Sequence, residues 1–145
     1  SGEPFHYYTE GFSDCVIRAT EAVDKERCAI LEKFGYHNDI VAHGIGSSIQ
    51  TDSLKEAVAG NPSFAKIAIP PTFQYRYYTE DIPYGMAVWS KLAHQVGVPT
   101  PIMDAMVTLG GNIMESDCWE NGRSLKELGI ADMDVETLKT YLIHG

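Results

Sequence analysis

An all-α fold, with its helices packed in a bundle-like array, is predicted by three features of this sequence. Apolar residues recur at helical spacing in one long segment near the start and in three segments of the last third. Residues that cap helices precede these segments, and glycine ends two of them. The chain also lacks internal repeats and low-complexity tracts, so a helical bundle is the fold class that we expect.

The first helix is predicted to begin at Ser13-Asp14, which are good N-cap residues, and to end at Gly35. It should span ~20 residues, which is long for a globular domain. Glu21 and Lys25 are spaced to support each other on its polar side. Its apolar residues at roughly helical spacing are Val16, Ile17, Val23, Ile30, Leu31 and Phe34.

Weaker patterns follow in the middle third of the chain. Residues 39–50 are predicted to form a helix that contains glycines, and Thr51-Asp52 should cap a short helix that runs through Ala59. Gly60-Asn61-Pro62 predicts a turn. Residues 73–79 are expected to be extended or irregular.

The last third gives clearer signals. Asp81 precedes a first-turn proline, Pro83, and a run of apolar residues with helical period then ends at Gly97. Thr100-Pro101 is typical of an N-cap followed by a proline at the first helical position. The large side chains at helical spacing are predicted to lie in the core: Met86, Trp89, Met103, Met106 and Met114.

Two further caps complete the predicted architecture. Ser124 and Glu127 have the spacing of a capping box, in which each side chain covers the backbone amide of the other residue. Asp134 can cap a final helix that carries Leu138 and Tyr141 on its apolar face. Because no linker interrupts the pattern, we expect residues 1–145 to form a single helical domain.

Composition and charge exclude several classes of function. The formal net charge is −9, and both nucleic acids and anionic membranes are bound mainly through Lys and Arg, so neither is an expected partner. No apolar run approaches the ~20 residues needed to span a bilayer. Cys15, Cys28 and Cys118 form no CxxC motif and predict no disulfide framework. Free thiols fit the reducing cytoplasm, where we expect the protein to work.

Motifs for a nucleotide cofactor or a metal ion are missing from the sequence. Gly44-Ile45-Gly46 lacks the third glycine of the dinucleotide-binding loop and is better interpreted as a flexible turn. If the protein uses a nucleotide cofactor, the pyrophosphate must be bound elsewhere. No HExxH motif occurs, so no metal site is expected from the scattered histidines at positions 6, 37, 43, 94 and 144.

Residues 75–85 stand out for their chemistry, because they combine one guanidinium, two carboxylates and four tyrosines. Asp81, ionised at a helix start, is suited to orient a catalytic histidine. Arg76 is suited to bind a substrate carboxylate through two parallel hydrogen bonds from its guanidinium. The structural alternative is that Asp81 only caps a helix and that Arg76 only pairs with Glu80 or Asp81. The residues alone slightly favour this alternative, because caps are far commoner than catalytic groups.

Four segments in sequence order resemble one family, the C-terminal helical domain of octopine/nopaline dehydrogenases. The segments are residues 8–13 with the helix positions 21–27, residues 76–85, residues 97–101 and residues 119–130. The similarity extends from Tyr8 to about Tyr141, which is nearly the whole chain. It implies an all-α bundle of the 6-phosphogluconate-dehydrogenase C-terminal-like type. It also implies a homodimer, because domains of this family often carry the dimer contact.

The resemblance also implies an activity. Such enzymes join an α-keto acid to the amine of an amino acid and reduce the imine with NAD or NADP. The cofactor is bound by an N-terminal Rossmann domain, and the small-molecule substrates lie in the cleft between the two domains. The family's aspartate at the position of Asp81 pairs with a catalytic histidine, and its arginine at the position of Arg76 binds a substrate carboxylate.

One departure from the family concerns the histidine. The family has it in a His-Pro motif well before the segment that matches residues 8–11, whereas this chain has no His-Pro, and His6 is followed by Tyr7. We therefore expect the histidine and the Rossmann domain to belong to a longer protein, and the chain alone to be inactive. The alternatives are a stand-alone helical interaction module and a dehydrogenase of the 6-phosphogluconate-dehydrogenase-like group with another substrate.

Overall fold

The computed structural model describes residues 5–37 and 39–144, and their regular elements are helical apart from an isolated bridge between His6 and Ala68. The predicted all-α class is therefore confirmed. The helices are α1 (Asp14–Lys33), α2 (Val41–Gly44), α3 (Leu54–Ala59), α4 (Arg76–Thr79), α5 (Ala87–Gln95), α6 (Pro101–Ile113) and α7 (Val135–His144).

The chain forms two compact units, which are Ser1–Cys28 with His37–Pro71 and Ala29–Tyr36 with Thr72–Gly145. The assignment of residues 1–145 to one domain stays a prediction. Within the described residues, no helix is both long and apolar enough to cross a membrane.

Helix α1 has the predicted length of 20 residues. At its start, the hydroxyl of Ser13 accepts a hydrogen bond from the amide of Val16 at 3.5 Å. At its end, Gly35 has a φ of 75°, a left-handed conformation that glycine adopts without strain. The amide of Tyr36 then donates to the carbonyl of Leu31 at 3.0 Å, which closes the helix as predicted.

Two predictions for the first unit were wrong in detail. The helix predicted for residues 39–50 is only the single turn α2, because Gly44 and Gly46 (φ 68°) let the chain leave the helical conformation. Helix α3 is capped by Ser53 rather than by Thr51-Asp52, since the Ser53 hydroxyl accepts from the amide of Glu56 at 3.3 Å.

A small apolar core holds the first unit together. Tyr8 stacks on Phe64 with ring centroids 4.3 Å apart, and Phe12 packs beside them. These rings cover a cluster of buried residues from α1, α2 and α3: Ile17, Ala42, Leu54, Ala57 and Val58. Removing such apolar surface from water stabilises the fold by ~25 cal/mol per Å².

The second unit is built on α5, α6 and α7. Gly97 (φ 77°) follows α5, Pro101 begins α6, and the carboxylate of Asp134 caps α7 by accepting from the amide of Thr137 at 2.8 Å, all as predicted. This hydrogen bond also lowers the pKa of Asp134. The capping box of Ser124 and Glu127 forms too, at 2.9 Å and 3.1 Å, and closes a single turn.

The prediction that all the large apolar side chains of this unit are buried was wrong for two of them. Met103 and Met114 lie in the core, and Met86 packs against it, but Trp89 and Met106 are exposed. Helix α6 has two adjacent apolar stripes, and only the one with Met103 is covered. Helical periodicity shows that a residue belongs to an apolar face, but it does not show whether that face is covered.

Candidate functional site

Arg76 and Asp81 lie on two consecutive turns of the second unit. Arg76 is the first residue of α4, so the prediction that residues 73–79 are extended or irregular was wrong for this turn. Asp81 begins a wider, π-type turn, Asp81–Met86, that leads directly into α5. Both side chains are exposed.

The wide turn follows from the position of Pro83. Proline has no amide hydrogen, so the usual ladder of hydrogen bonds cannot be completed at this residue. The amide of Tyr84 donates to the carbonyl of Glu80 at 2.9 Å, and the amide of Ala87 reaches back to Ile82, five residues earlier.

The structural alternative, in which Asp81 only caps a helix, does not hold, because the turn that contains Asp81 is preceded by Glu80 at the cap position. Among the residues that the structure describes, the Asp81 carboxylate has no hydrogen-bond donor and no ion-pair partner. The structural role that competed with a functional one is therefore removed. An exposed carboxylate at a fixed point of the backbone remains available to a group outside this chain.

Arg76 is held only weakly by its neighbours. Its Nε lies 3.9 Å from a carboxylate oxygen of Glu80, and both side chains are 63% exposed. An exposed pair of this kind contributes about 0–1 kcal/mol to stability. The predicted pairing with Glu80 is thus present, but it leaves most of the guanidinium open to an incoming carboxylate.

The four tyrosines of the segment divide into two groups. Tyr75 and Tyr77 make an edge-to-face pair with ring centroids 5.0 Å apart, and both are exposed, as is Tyr84. Tyr78 instead packs against the buried cluster of Ala87, Val107, Met114 and Cys118. Tyr78 therefore anchors α4, while the exposed tyrosines offer aromatic surface beside Arg76.

Gly44 and Gly46 do not form a dinucleotide-binding loop. Gly44 ends a helix of only four residues, and Gly46 lies in the irregular segment that follows it, with no strand before them. A dinucleotide-binding loop needs a strand before the glycines and a longer helix after them. The second unit has a cleft of about 500 Å³ at the end of α6, and neither Arg76 nor Asp81 lines it.

Two histidines of the first unit share an acidic partner. Asp39 lies 3.5 Å from both His37 Nε2 and His43 Nδ1, and Asp52 lies 2.7 Å from His43 Nε2. The hydrogen bond to Asp52 and then the one to Asp39 raise the pKa of His43. Among the residues that the structure describes, no group of three or more His, Cys, Asp or Glu side chains is arranged to hold a metal ion.

A polar network between α5 and α6, of which Ser90 and Thr100 are the buried members, was missed from the sequence. Ser90 and Thr100 are fully buried, their hydroxyls are 2.9 Å apart, and both are hydrogen bonded to Asp104. His94 Nε2 lies 3.1 Å from the same carboxylate. The network connects α5 to α6 and fixes their relative position. In the sequence, the only signals for it are the four-residue spacings of Ser90 to His94 and of Thr100 to Asp104.

Comparison with known proteins decides the family. The family described as NAD/NADP octopine/nopaline dehydrogenase, alpha-helical domain, matches residues 1–114, which is most of the chain. The chain belongs to this family. The match agrees with the resemblance seen in the sequence, and it assigns helices α1 to α6 to the family's alpha-helical domain.

Individual relatives support the assignment. The chain is 34% identical over 142 residues to an opine dehydrogenase of Arthrobacter sp., a match that covers 97% of the chain and 40% of the relative. It is 27% identical to a vitopine synthase of Allorhizobium ampelinum, covering 86% of the chain and 35% of that protein. It is 35% identical over 74 residues to the octopine dehydrogenase of Mizuhopecten yessoensis, covering 50% and 18%. The chain thus spans well under half the length of these relatives.

Proposed function

We propose that this chain is the substrate-binding domain of an NAD- or NADP-dependent opine dehydrogenase, which joins an α-keto acid to an amino acid by reductive condensation. The observation that carries the proposal is the pair Arg76 and Asp81. Both side chains are exposed on consecutive turns. Within the described residues, Arg76 makes only a weak ion pair with Glu80, and Asp81 makes no ion pair. Membership of the family supports the class of reaction.

Arg76 is proposed to bind a carboxylate of the substrate. A guanidinium can donate two parallel hydrogen bonds to a carboxylate, which fixes both the position and the orientation of the bound acid. The weak pair with Glu80, at 3.9 Å, is readily replaced by such a ligand. The exposed rings of Tyr75 and Tyr77 lie next to Arg76 in the chain and could cover the apolar part of the substrate.

Asp81 is proposed to orient a histidine from another part of the protein. A carboxylate that accepts from one ring nitrogen selects the histidine tautomer and stabilises the imidazolium. The histidine would then serve as general acid and base on the carbonyl oxygen or the amine of the substrates. Asp81 is free for this role because it accepts no hydrogen bond from the described residues.

The nicotinamide cofactor, which supplies the hydride, is proposed to be bound by an N-terminal Rossmann domain of the same protein. The described residues do not form the loop that such a cofactor needs. We further propose that the protein works in the cytoplasm, since Cys15, Cys28 and Cys118 form no disulfide.

A direct test compares the full-length protein with the isolated chain. We expect the full-length protein to oxidise NADH or NADPH only when an α-keto acid and an amino acid are both present, as followed by the absorbance of the reduced nicotinamide. The isolated chain should show neither turnover nor heat of binding when it is titrated with either cofactor. Turnover with one substrate alone would support a different dehydrogenase, and no turnover with any pair would support a helical interaction module.

A homodimer is proposed to form through the outer stripe of α6, which we define as Ile102, Met106, Leu109 and Ile113. All four side chains are exposed, by 39%, 42%, 58% and 42%. Their spacing of four, three and four residues is symmetric, so an antiparallel pair of α6 helices would bring Met106 of each copy opposite Leu109 of the other. Such a self-complementary contact is what a two-fold axis requires.

Replacing Met106 with glutamate should convert the dimer into a monomer, because two carboxylates would then be buried close to the two-fold axis. Light scattering over a range of concentrations measures the change in mass. Asn112→Glu is the control, since it adds the same charge to an exposed position of α6 away from the outer stripe. A single-chain mass for the unmodified protein at every concentration would contradict the proposed dimer.

A further inference from the structure

We propose that the loop of residues 118–123 is a positioning element for Asp81, and that Lys91 holds both ends of this loop in place. The inference rests on the proposed role of Asp81. Residues 119–130 are the fourth segment that resembles the family, and the proposed chemistry gives them no role. The inference assigns a role to the first part of this segment.

Gly122 is the point at which the loop meets the turn of Asp81. It is buried, and a side-chain carbon placed on it would overlap the carbonyl oxygen of Pro83 and lie 2.6 Å from the carbonyl oxygen of Cys118. The backbones of the loop and of the turn are therefore in direct contact, at a distance that only glycine permits. Movement of the loop must move Pro83 and the residues next to it.

Lys91 holds the loop from α5. Its ammonium group donates to the carbonyl of Trp119 at 2.5 Å and approaches the carbonyl of Arg123 at 3.4 Å. These two carbonyls lie on either side of Gly122, so one cation fixes both flanks of the contact. A hydrogen bond from a charged donor is worth about 1.5–3 kcal/mol, which is enough to hold a short loop in one position.

The loop is also fixed by Asp117, which directly precedes it, and by Thr108 on α6. The carboxylate of Asp117 accepts from the amides of Trp119 at 2.9 Å and Glu120 at 3.2 Å, and the indole of Trp119 donates to the hydroxyl of Thr108 at 3.1 Å. These bonds make the loop a stiff support rather than a flexible connection.

Helix α6 supports the opposite side of the turn. A side-chain carbon on Gly110 would lie 2.6 Å from Ile82 Cδ1, so Ile82 packs directly on the α6 backbone. The two residues that follow Asp81 are thus held by α6 and by the loop. Because the Asp81 carboxylate accepts no hydrogen bond from the described residues, this backbone support is what sets its position.

Lys91→Met tests the inference in the full-length protein, because methionine keeps most of the side-chain length and removes the donors. A misplacement of ~1 Å can cost ~10²-fold in rate. We expect kcat to fall about 10-fold to 100-fold, with KM for both substrates nearly unchanged. Lys91→Arg, which restores charged donors, should recover most of the lost kcat. An unchanged kcat in a folded Lys91→Met protein would overturn the inference.

A double variant separates positioning from a general loss of structure. If Lys91 acts through Asp81, adding Lys91→Met to Asp81→Asn should lower kcat no further, whereas independent defects should multiply. If Asp81→Asn alone has no effect, the proposed function fails. If Asp81→Asn slows the enzyme and Lys91→Met does not, only the positioning role fails.

A glycine pair provides a second measurement should Lys91→Met not fold. Gly122→Ala should lower both kcat and the melting temperature, because its methyl group would displace Pro83. Gly85→Ala, whose methyl group would meet open space in the same turn, should not lower the melting temperature. A folded Gly122→Ala protein with normal kcat would contradict the inference.

Discussion

Replacing Asp81 with asparagine should lower kcat of the full-length enzyme by about 10³–10⁴-fold, while the melting temperature stays the same. Asparagine has nearly the same shape as aspartate, but it carries no charge to stabilise an imidazolium and can hold the wrong tautomer of the histidine. The equivalent change in the serine protease triad costs ~10⁴-fold. Steady-state rates of reductive condensation, with thermal denaturation alongside, measure both quantities.

Asp134→Asn is the matched control for this prediction. Asp134 is a true helix cap, whose carboxylate accepts from the amide of Thr137 at 2.8 Å, and asparagine caps helices about as well as aspartate. The control should change neither the rate nor the stability. An Asp81→Asn enzyme with near-normal kcat would mean that Asp81 has no part in the reaction.

The parts of the fold that the sequence predicted are those that local chemistry decides. The end of α1 at Gly35, the start of α6 at Pro101 and the cap of α7 at Asp134 each depend on a few neighbouring residues. Glycine conformation, the proline ring and a side-chain cap act over one turn of the chain. Their effect can therefore be read without knowledge of the tertiary structure.

The turn of Asp81 shows why local reasoning was insufficient there. A proline two residues after an aspartate is typical of a capped helix start, but Pro83 lies inside a wider turn that continues from α4. The carbonyl of Ile82 is satisfied by the amide of Ala87 instead. The turn is also held by the packing of Ile82 against Gly110, which is 28 positions away in the sequence and is therefore not visible in the local pattern.

The contacts that hold the candidate site in position also join residues that are far apart in the sequence. Arg76 and Asp81 could be selected from the sequence because their chemistry and their resemblance to the family are concentrated in one segment. Lys91 could not, since its partner Trp119 is 28 residues away and a lysine on a helix is usually solvated. The hydrogen bond between Ser90 and Asp104 likewise forms only after α5 and α6 have packed together.

Replacing Arg76 with lysine should raise KM for the substrate whose carboxylate it binds by about 10-fold to 100-fold and leave kcat largely unchanged. Lysine keeps the positive charge but loses the two-pronged hydrogen bonding, and a hydrogen bond to a charged group is worth about 1.5–3 kcal/mol. Varying one substrate at a time under saturation with the other identifies the acid that is affected. Arg18→Lys, an exposed position on α1, is the control.

Glu80→Gln is a second test, in which KM for the same substrate should change in the opposite direction. The Glu80 carboxylate lies 3.9 Å from Arg76 Nε and competes with the substrate for the guanidinium. Removing its charge should lower KM by a small factor, consistent with the ~0–1 kcal/mol of an exposed ion pair. If Arg76→Lys leaves KM unchanged for both substrates, or if Glu80→Gln weakens binding as much as Arg76→Lys does, then Arg76 serves only to hold α4 and does not bind the substrate carboxylate.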